Sequence, residues 1–420
     1  MTVHLLIFIL SLWACFSAGL PGFLWLLAAT GLTYCAGLLI PRRKWILYLS
    51  VGLHGGLLLF LKLQGLFGLS LTAPLGVSYV TLMLIGYCVD VSRGKYPPER
   101  NFYRFALCVT YYPKLSIGPI EGYDRLRSAF FENRRICWEG LSFGAVRALW
   151  GLFKKYVIAA PAGVVIGTIS AAPETHQGAY ALAAMVLFSV QLYADFSGGM
   201  DLVLGVSRML GLRLSENFDR PYFSESVQEF WRRWHITLGA WLREYVYIPL
   251  GGNRKGKLRK ILNTLIVFLV SGIWHGSHYL LWGLLNGIFV CIGKKLQTKW
   301  KTLNRVGTFL VVTFLWAFFV WEDTATALRM AGSVFTTCNY GAFFAGIGAL
   351  GLEWGEWIVF FAGAVILWLA DIFRDRLTER CQKFSPAAWV AVICALGLVV
   401  LIFGMYGIGF VADDFIYSRF

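Results

Sequence analysis

The sequence predicts an all-α polytopic membrane protein, with short, broken or re-entrant helices gathered around a cavity. Three observations predict it. Of 420 residues, 58% are hydrophobic and only 15% charged, where a soluble chain carries about 25% charged residues. Apolar runs recur from end to end, among them "HLLIFILSLWACFSAGL", "WILYLSVGLHGGLLLFLKL", "GAYALAAMVLFSVQLYA", "GTFLVVTFLWAFFVW" and "AAWVAVICALGLVVLIFGM". Spanning the hydrocarbon core takes about 20 such residues, which gives roughly ten to twelve membrane helices. Third, polar and helix-breaking residues concentrate in the middle of the chain, leaving both ends plainly apolar.

The first apolar run lacks a basic leader and another follows almost at once, so it reads as a retained helix rather than a signal peptide. Residues 1–70 are expected to be peripheral N-terminal helices, 71–300 a core carrying the motifs, and 301–420 C-terminal helices, all in one membrane-embedded domain. The pattern changes at "APLGVSYVTLMLIGYCVDVSRGK", where Pro74 and Gly76 interrupt an apolar segment. In "FYRFALCVTYYPKLSIGPIEGY", Arg104, Pro113, Lys114 and Pro119 break another. Such backbone is tolerated at membrane depth only where protein or water satisfies it. The segment "LSFGAVRALWGLFKKYVIAAPAGVVIG" has a basic middle that reads as interfacial.

The formal net charge is +15. Nucleic-acid binding would need that charge on a soluble face, and no such domain is present. Its distribution over "PRRK" (41–44), "RNFYR" (100–104), "GGNRKGKLRK" (251–260), "GKKLQTKWK" (293–301) and "DIFRDRLTERCQK" (371–383) fits cytoplasmic loops of a multi-pass protein. The nine cysteines are scattered without a CxxC pair, so neither a disulfide framework nor a zinc site is expected.

Asp195 and Asp201 lie in "YADFSGGMDLVLG". A carboxylate at membrane depth pairs with a cation or lines a watery cavity; the simpler expectation is a structural partner for a nearby arginine or for backbone amides, the functional one a polar tunnel wall. The stretch "QEFWRRWHITLGAWLREYVYIPLGGNR" (228–254) projects Trp231, Trp234, Leu238, Trp241, Leu242 and Tyr245 onto one helical face. His235 sits at the edge of that face, a turn from Trp231. One amphipathic helix, along the membrane surface or at a cavity mouth, is expected.

The segment "VSGIWHGSHYLLWG" then places His275 and His278 in an aromatic, apolar run. The apolar stretches on either side, Ile261–Trp274 and Tyr279–Ile292, are each about 14 residues, or about 21 Å of helix, and both outer flanks are basic. That predicts a hairpin entering from the cytoplasm and turning at Gly272 and Gly276, with His275 at its tip. A metal is not expected, because no acidic residue lies between Lys260 and Glu322. Proton relay in a transporter of envelope precursors is one use for such a histidine. General-base catalysis fits better, since a buried imidazole stays neutral and accepts a proton near neutral pH.

The segments "FWRRWHITLGAWLREYVYIPLGGNR" and "LNTLIVFLVSGIWHGSHYLLWGLLNGIF" resemble the membrane-bound O-acyltransferase (MBOAT) family, in its bacterial alginate O-acetyltransferase-like branch. "PLGVSYVTLMLIGYCVDVSRGK", "YYPKLSIGPIEGYDRL", "DFSGGMD" and the terminal "DDFIYSRF" are similar to that branch too, so the resemblance covers about 70–420. It implies a multi-helix fold with a tunnel through the membrane and acyl transfer to a hydroxyl. It also implies catalysis by His275 of the WHG motif with His235 as second histidine, leaving His278 structural. Asp195, Trp234, Asn263, Trp274 and Arg254 are the expected substrate-binding positions. Acetyl-CoA is the implied donor, with no bound cofactor. A polysaccharide acceptor or an extracytoplasmic SGNH-type acetyl-transfer partner would take the acetyl group. D-alanyl transfer to teichoic acid from an acyl-carrier protein is the related alternative. The sequence departs from the family pattern at Gly199-Met200, where members carry a Tyr-Ser pair.

Overall fold

The structure, a computed structural model, describes residues 2–115, 117–132, 135–321 and 323–406; "DDFIYSRF" lies outside the described residues. Every regular element among them is helical. The N-terminal group comprises α1 (Thr2–Ser17), α2 (Leu20–Leu39) and α3 (Trp45–Leu63). After it come α4 (Val77–Ser92), α5 (Phe102–Thr110) and α6 (Tyr123–Phe131), then the long α7 (Trp138–Ala171) and α8 (Ala179–Met209). Two short helices, α9 (Val227–Arg233) and α10 (Ile236–Leu242), flank His235. The hairpin is α11 (Gly256–His275) and α12 (Leu280–Ile292). The chain continues through α13 (Lys301–Val320), α14 (Thr324–Thr336), α15 (Tyr340–Gly346), α16 (Trp354–Ile372), α17 (Arg374–Cys381) and α18 (Pro386–Phe403).

Eight of these helices are long and apolar enough to cross a bilayer, and four shorter apolar ones accompany them. Peripheral helices turn leucine, valine and aromatic side chains outward, among them Leu398, Leu401 and Ile402 of α18 and Ile358 and Trp368 of α16. With hydrocarbon outside, that exposure is the expected state of a lipid-facing surface. The broken segments lie inside. All of α4 except Val89 and Ser92 is buried, and so are Phe105–Thr110 of α5. At the start of α4, Gly76 holds φ +73°, and a Cβ there would stand 2.7 Å from the Leu115 carbonyl oxygen.

Helices α7 and α8 form the central pair, and glycines let their backbones meet. Gly144 opposes Gly205 and, seven residues on, Gly151 opposes Gly198; a Cβ on Gly151 would lie 2.4 Å from the Gly198 carbonyl oxygen. Small residues at crossing points are how membrane helices gain close packing.

The same crossing corrects the reading of "FKKY" as interfacial. Helix α7 runs on through a π turn at Lys154–Ala159, and both lysines point into the protein. Lys154 donates to Asp201 Oδ2 (2.6 Å) and Ser197 Oγ (3.0 Å), and Lys155 to Asp195 Oδ1 (3.0 Å). Arg147 joins Asp201 (2.9 Å) to Glu216 (2.7 Å). Cations on one helix and carboxylates on its neighbour neutralise each other, which is how charge persists at membrane depth.

The hairpin differs from expectation in one arm. Helix α11 has 20 residues, about 30 Å at 1.5 Å per residue, because Lys257, Arg259 and Lys260 are good helix formers and extend it past the apolar stretch. Helix α12 returns along it, and Gly283 lies so close that a Cβ would meet the Phe268 carbonyl oxygen at 2.4 Å. The turn falls at Gly276, φ +151°, while Gly272, expected to share it, lies inside α11, where its missing side chain lets the Tyr279 carbonyl approach.

Candidate active site

The second correction concerns 228–254, which is not one helix. Helix α9, capped by Ser226 Oγ accepting from the Glu229 N–H, stops at Arg233. Trp234 is extended and His235 takes φ +46°. Only Arg220 shares a positive φ among the described non-glycine residues. A left-handed histidine costs about 1–3 kcal/mol and persists only where its surroundings over-determine it.

Asn217 supplies that determination. Its backbone carbonyl accepts from the Ile236 N–H (3.0 Å). Its side-chain Oδ1 accepts from the Thr237 N–H (2.9 Å) and Thr237 Oγ1 (2.8 Å). His235 Nδ1 also lies 3.4 Å from Oδ1. An amide oxygen only accepts, so a hydrogen bond between them places the proton on Nδ1. Phe218 bridges to Trp234, and Ile120 N–H donates to Thr237 Oγ1 (3.0 Å). Met200 Sδ accepts from Asn217 Nδ2 (3.4 Å), giving the unusual Met200 a contact one step behind the histidine.

His275 closes the last turn of α11 and is 5% exposed. Its ring meets Trp274 (4.8 Å between centroids), Trp282 (5.3 Å) and Phe319 (5.6 Å), each edge to face. The Trp274 ring lies 6.1 Å from His235 and 5.8 Å from Tyr79. His235 and His275, 40 positions apart in sequence, face one slot of about 170 Å³. Trp231, Trp234, Leu238, Leu242, Val267 and Phe268 line its apolar walls. Gln228, Arg232 and Val290 also line it. They lie towards the basic flank of the hairpin, since Val290 stands just before the basic 293–301 segment and Gly293 there lies against Ser226 and Val227 at the start of α9. The arrangement sets two buried imidazoles, groups that can take up or give a proton, against a narrow apolar slot wide enough for a slender acyl chain.

Of the sequence-derived residues, His235, His275 and Trp234 line the slot, and Trp274 packs against both histidines. The other three are elsewhere. Asp195 is paired with Lys155. Asn263 Nδ2 donates to the carbonyls of Gly252 (2.8 Å) and Leu250 (3.2 Å), pinning the preceding loop. Arg254 is exposed on that loop. His278 is exposed, its ring on Tyr279 at 4.1 Å, away from the slot. No cluster of three metal-ligating side chains occurs among the described residues. Sequence reasoning missed Asn217; its only signal is a polar side chain inside "SENFDRPYF". Asn217→Ala is expected to lower turnover about 10²-fold, the effect of a misplaced catalytic group, with expression unchanged. A kcat within threefold of wild type would show that His235 holds its orientation without the amide.

The fold and the slot define a multi-pass helical membrane protein with two histidines buried at the inner end of an apolar channel. Residues 95–334 match the membrane-bound O-acyltransferase family, and the chain belongs to it. It is 36% identical over 363 residues to a probable alginate O-acetylase of Pseudomonas fluorescens, covering 84% of this chain and 72% of that one. It is 32% identical to a peptidoglycan O-acetyltransferase of Helicobacter pylori, over 62% of this chain and 56% of the relative. A teichoic acid D-alanyltransferase of Streptococcus thermophilus is 29% identical, over 63% and 67% of the two chains. The alginate O-acetylases of other Pseudomonas species are covered less fully, down to 52% of one from Pseudomonas aeruginosa.

Proposed function

We propose that this membrane acyltransferase moves an acetyl group from acetyl-CoA to hydroxyls of a cell-envelope or exported polysaccharide. Transfer runs directly or through an extracytoplasmic SGNH-type partner. The observation that carries the reading is the convergence of His235 and His275 on one apolar slot.

The thioester enters from the basic flank, its acyl end lying between α9, α10 and α11. An acceptor hydroxyl attacks the thioester carbonyl while His275 takes its proton. The tetrahedral intermediate collapses, the C–S bond breaks, and the thiolate recovers a proton from the imidazolium, leaving an ester and a thiol. His235 assists this proton transfer. The exposed cations of residues 254–260 fit plain positive-inside topology and would also attract donor phosphates. D-alanyl transfer from a carrier-protein thioester is the second reading, favoured by the 29% identity to a D-alanyltransferase.

Membranes holding the protein, given radiolabelled acetyl-CoA, are expected to label base-labile O-esters of envelope polymer without any carrier protein. Labelling that appears only when an acyl-carrier thioester is supplied would decide for the second reading. Movement of polymer across the membrane with no ester formed would make the protein a transporter.

A further inference from the structure

The slot accounts for one side of the histidine pair. On another side stands a lysine that the slot does not include. Lys62 lies near the end of α3, and its ammonium sits 5.9 Å over the Trp274 ring. That same ring touches His275 at 4.8 Å and His235 at 6.1 Å.

Its depth follows from the helices. Helices α3 and α11 pack together, and both start from basic segments, 41–44 and 251–260. Lys62 is about 26 Å along α3 and Trp274 about 27 Å along α11, at 1.5 Å per residue. Lys62 and Trp274 therefore share a level far from the basic flank, whereas Gln228, Arg232 and Val290 mark the end of the slot nearest that flank.

A lysine near a helix end ordinarily snorkels to the interface. Here the half-buried lysine sets its ammonium over a tryptophan that is 5% exposed. The indole N–H of Trp274 is buried and finds no acceptor among the described residues. An ammonium over its face and an N–H donor at its edge thus belong to one indole packed against the two histidines, on the side away from the donor's entrance. Both are donors, and both suit an anion.

We propose that Lys62 and the Trp274 indole N–H form an acceptor subsite that binds an anionic group, a carboxylate or a phosphate, on the molecule whose hydroxyl is acylated. The inference rests on the acyltransferase reading for the word acceptor. A direct oxyanion contact is a different role and would need a donor about 3 Å from the reacting carbonyl oxygen. Lys62 is instead placed to hold a substituent next to the reacting hydroxyl, which makes it a residue of acceptor specificity.

The test is equilibrium binding to the full chain in lipid nanodiscs, which requires no turnover. The probes are a uronic-acid oligosaccharide, a glycerol phosphate oligomer and a neutral oligosaccharide of matched length. The wild type is expected to bind one of the acidic probes at least tenfold tighter than the neutral one, and the better probe distinguishes carboxylate from phosphate. Lys62→Met and Lys62→Gln should remove the preference while binding the neutral probe as before, and Lys62→Arg should keep it. A wild type with no preference for either acidic probe would overturn the subsite. So would a Lys62→Met protein that retains the preference, or equal loss of all three probes in both neutral variants. Ester formation is measured separately, so failure of this subsite and failure of the acyltransferase reading are told apart.

Discussion

Replacing His275 by alanine is expected to lower acyl transfer by about 10²–10⁴-fold, the usual contribution of a positioned general base. The readout is base-labile O-ester in the envelope, normalised to the amount of protein in the membrane. Alanine leaves a gap among Trp274, Trp282 and Phe319, so abundance must be checked on the same samples. His275→Asn is the companion variant. It fills more of the gap, keeps a polar group, and cannot take a proton, so it should be as inactive as alanine. Either variant at wild-type activity, in normal amount, would remove His275 from the chemistry.

The second large effect is on stability. Asp201 is the shared partner of Lys154 and Arg147, with Lys154 6% exposed and Arg147 19% exposed at the side chain. Asp201→Ala strands the Lys154 ammonium inside the α7–α8 crossing and leaves Arg147 with Glu216 alone. Removing one member of a buried ion pair costs about 3–5 kcal/mol, and unfolding in mixed micelles is expected to register a loss of that size. Asp201→Ala with Lys154→Met should recover part of it, because the stranded charge is gone. A loss below about 1 kcal/mol for Asp201→Ala would mean that water reaches the crossing and screens the cations.

These two residues mark what the sequence made legible and what it did not. Hydropathy and length were enough for a multi-pass helical protein, because each spanning helix carries its own signal. The turn after His275 was legible too, since glycines and basic flanks bracket it locally. What periodicity could not reach was conformation imposed from a distance. The break at His235 is enforced by Asn217, 18 positions upstream, and no pattern within 228–254 encodes it. Lys154 and Lys155 looked interfacial for the same reason: the carboxylates that draw them inward lie 40 and more positions away on α8.

The histidine pair shows the limit most clearly. Proximity in sequence joins His275 to His278, and physical reading of the segment alone gave no reason to prefer His235. The resemblance to MBOAT motifs supplied that preference, and the structure sets both rings on one slot while His278 faces outward. For Asp195, the structural expectation named an arginine or backbone amides, and the partner the fold supplies is Lys155 of the neighbouring helix. Arg254 lies on the loop before α11, and Asn263, buried in the second turn of that helix, pins the loop's backbone. Neither residue lines the slot.

The central claim is that His235 and His275 act as one unit at the end of the slot. The most direct measurement is a double-mutant cycle with His275→Ala and His235→Asn, the asparagine chosen because it tolerates the left-handed backbone at position 235. Envelope O-ester is quantified for each single variant, the double variant and the wild type, at matched membrane abundance. Groups that work as a unit are strongly non-additive, so the double variant should be no slower than the slower single. Losses that multiply, or wild-type ester levels in either single variant, would contradict the account.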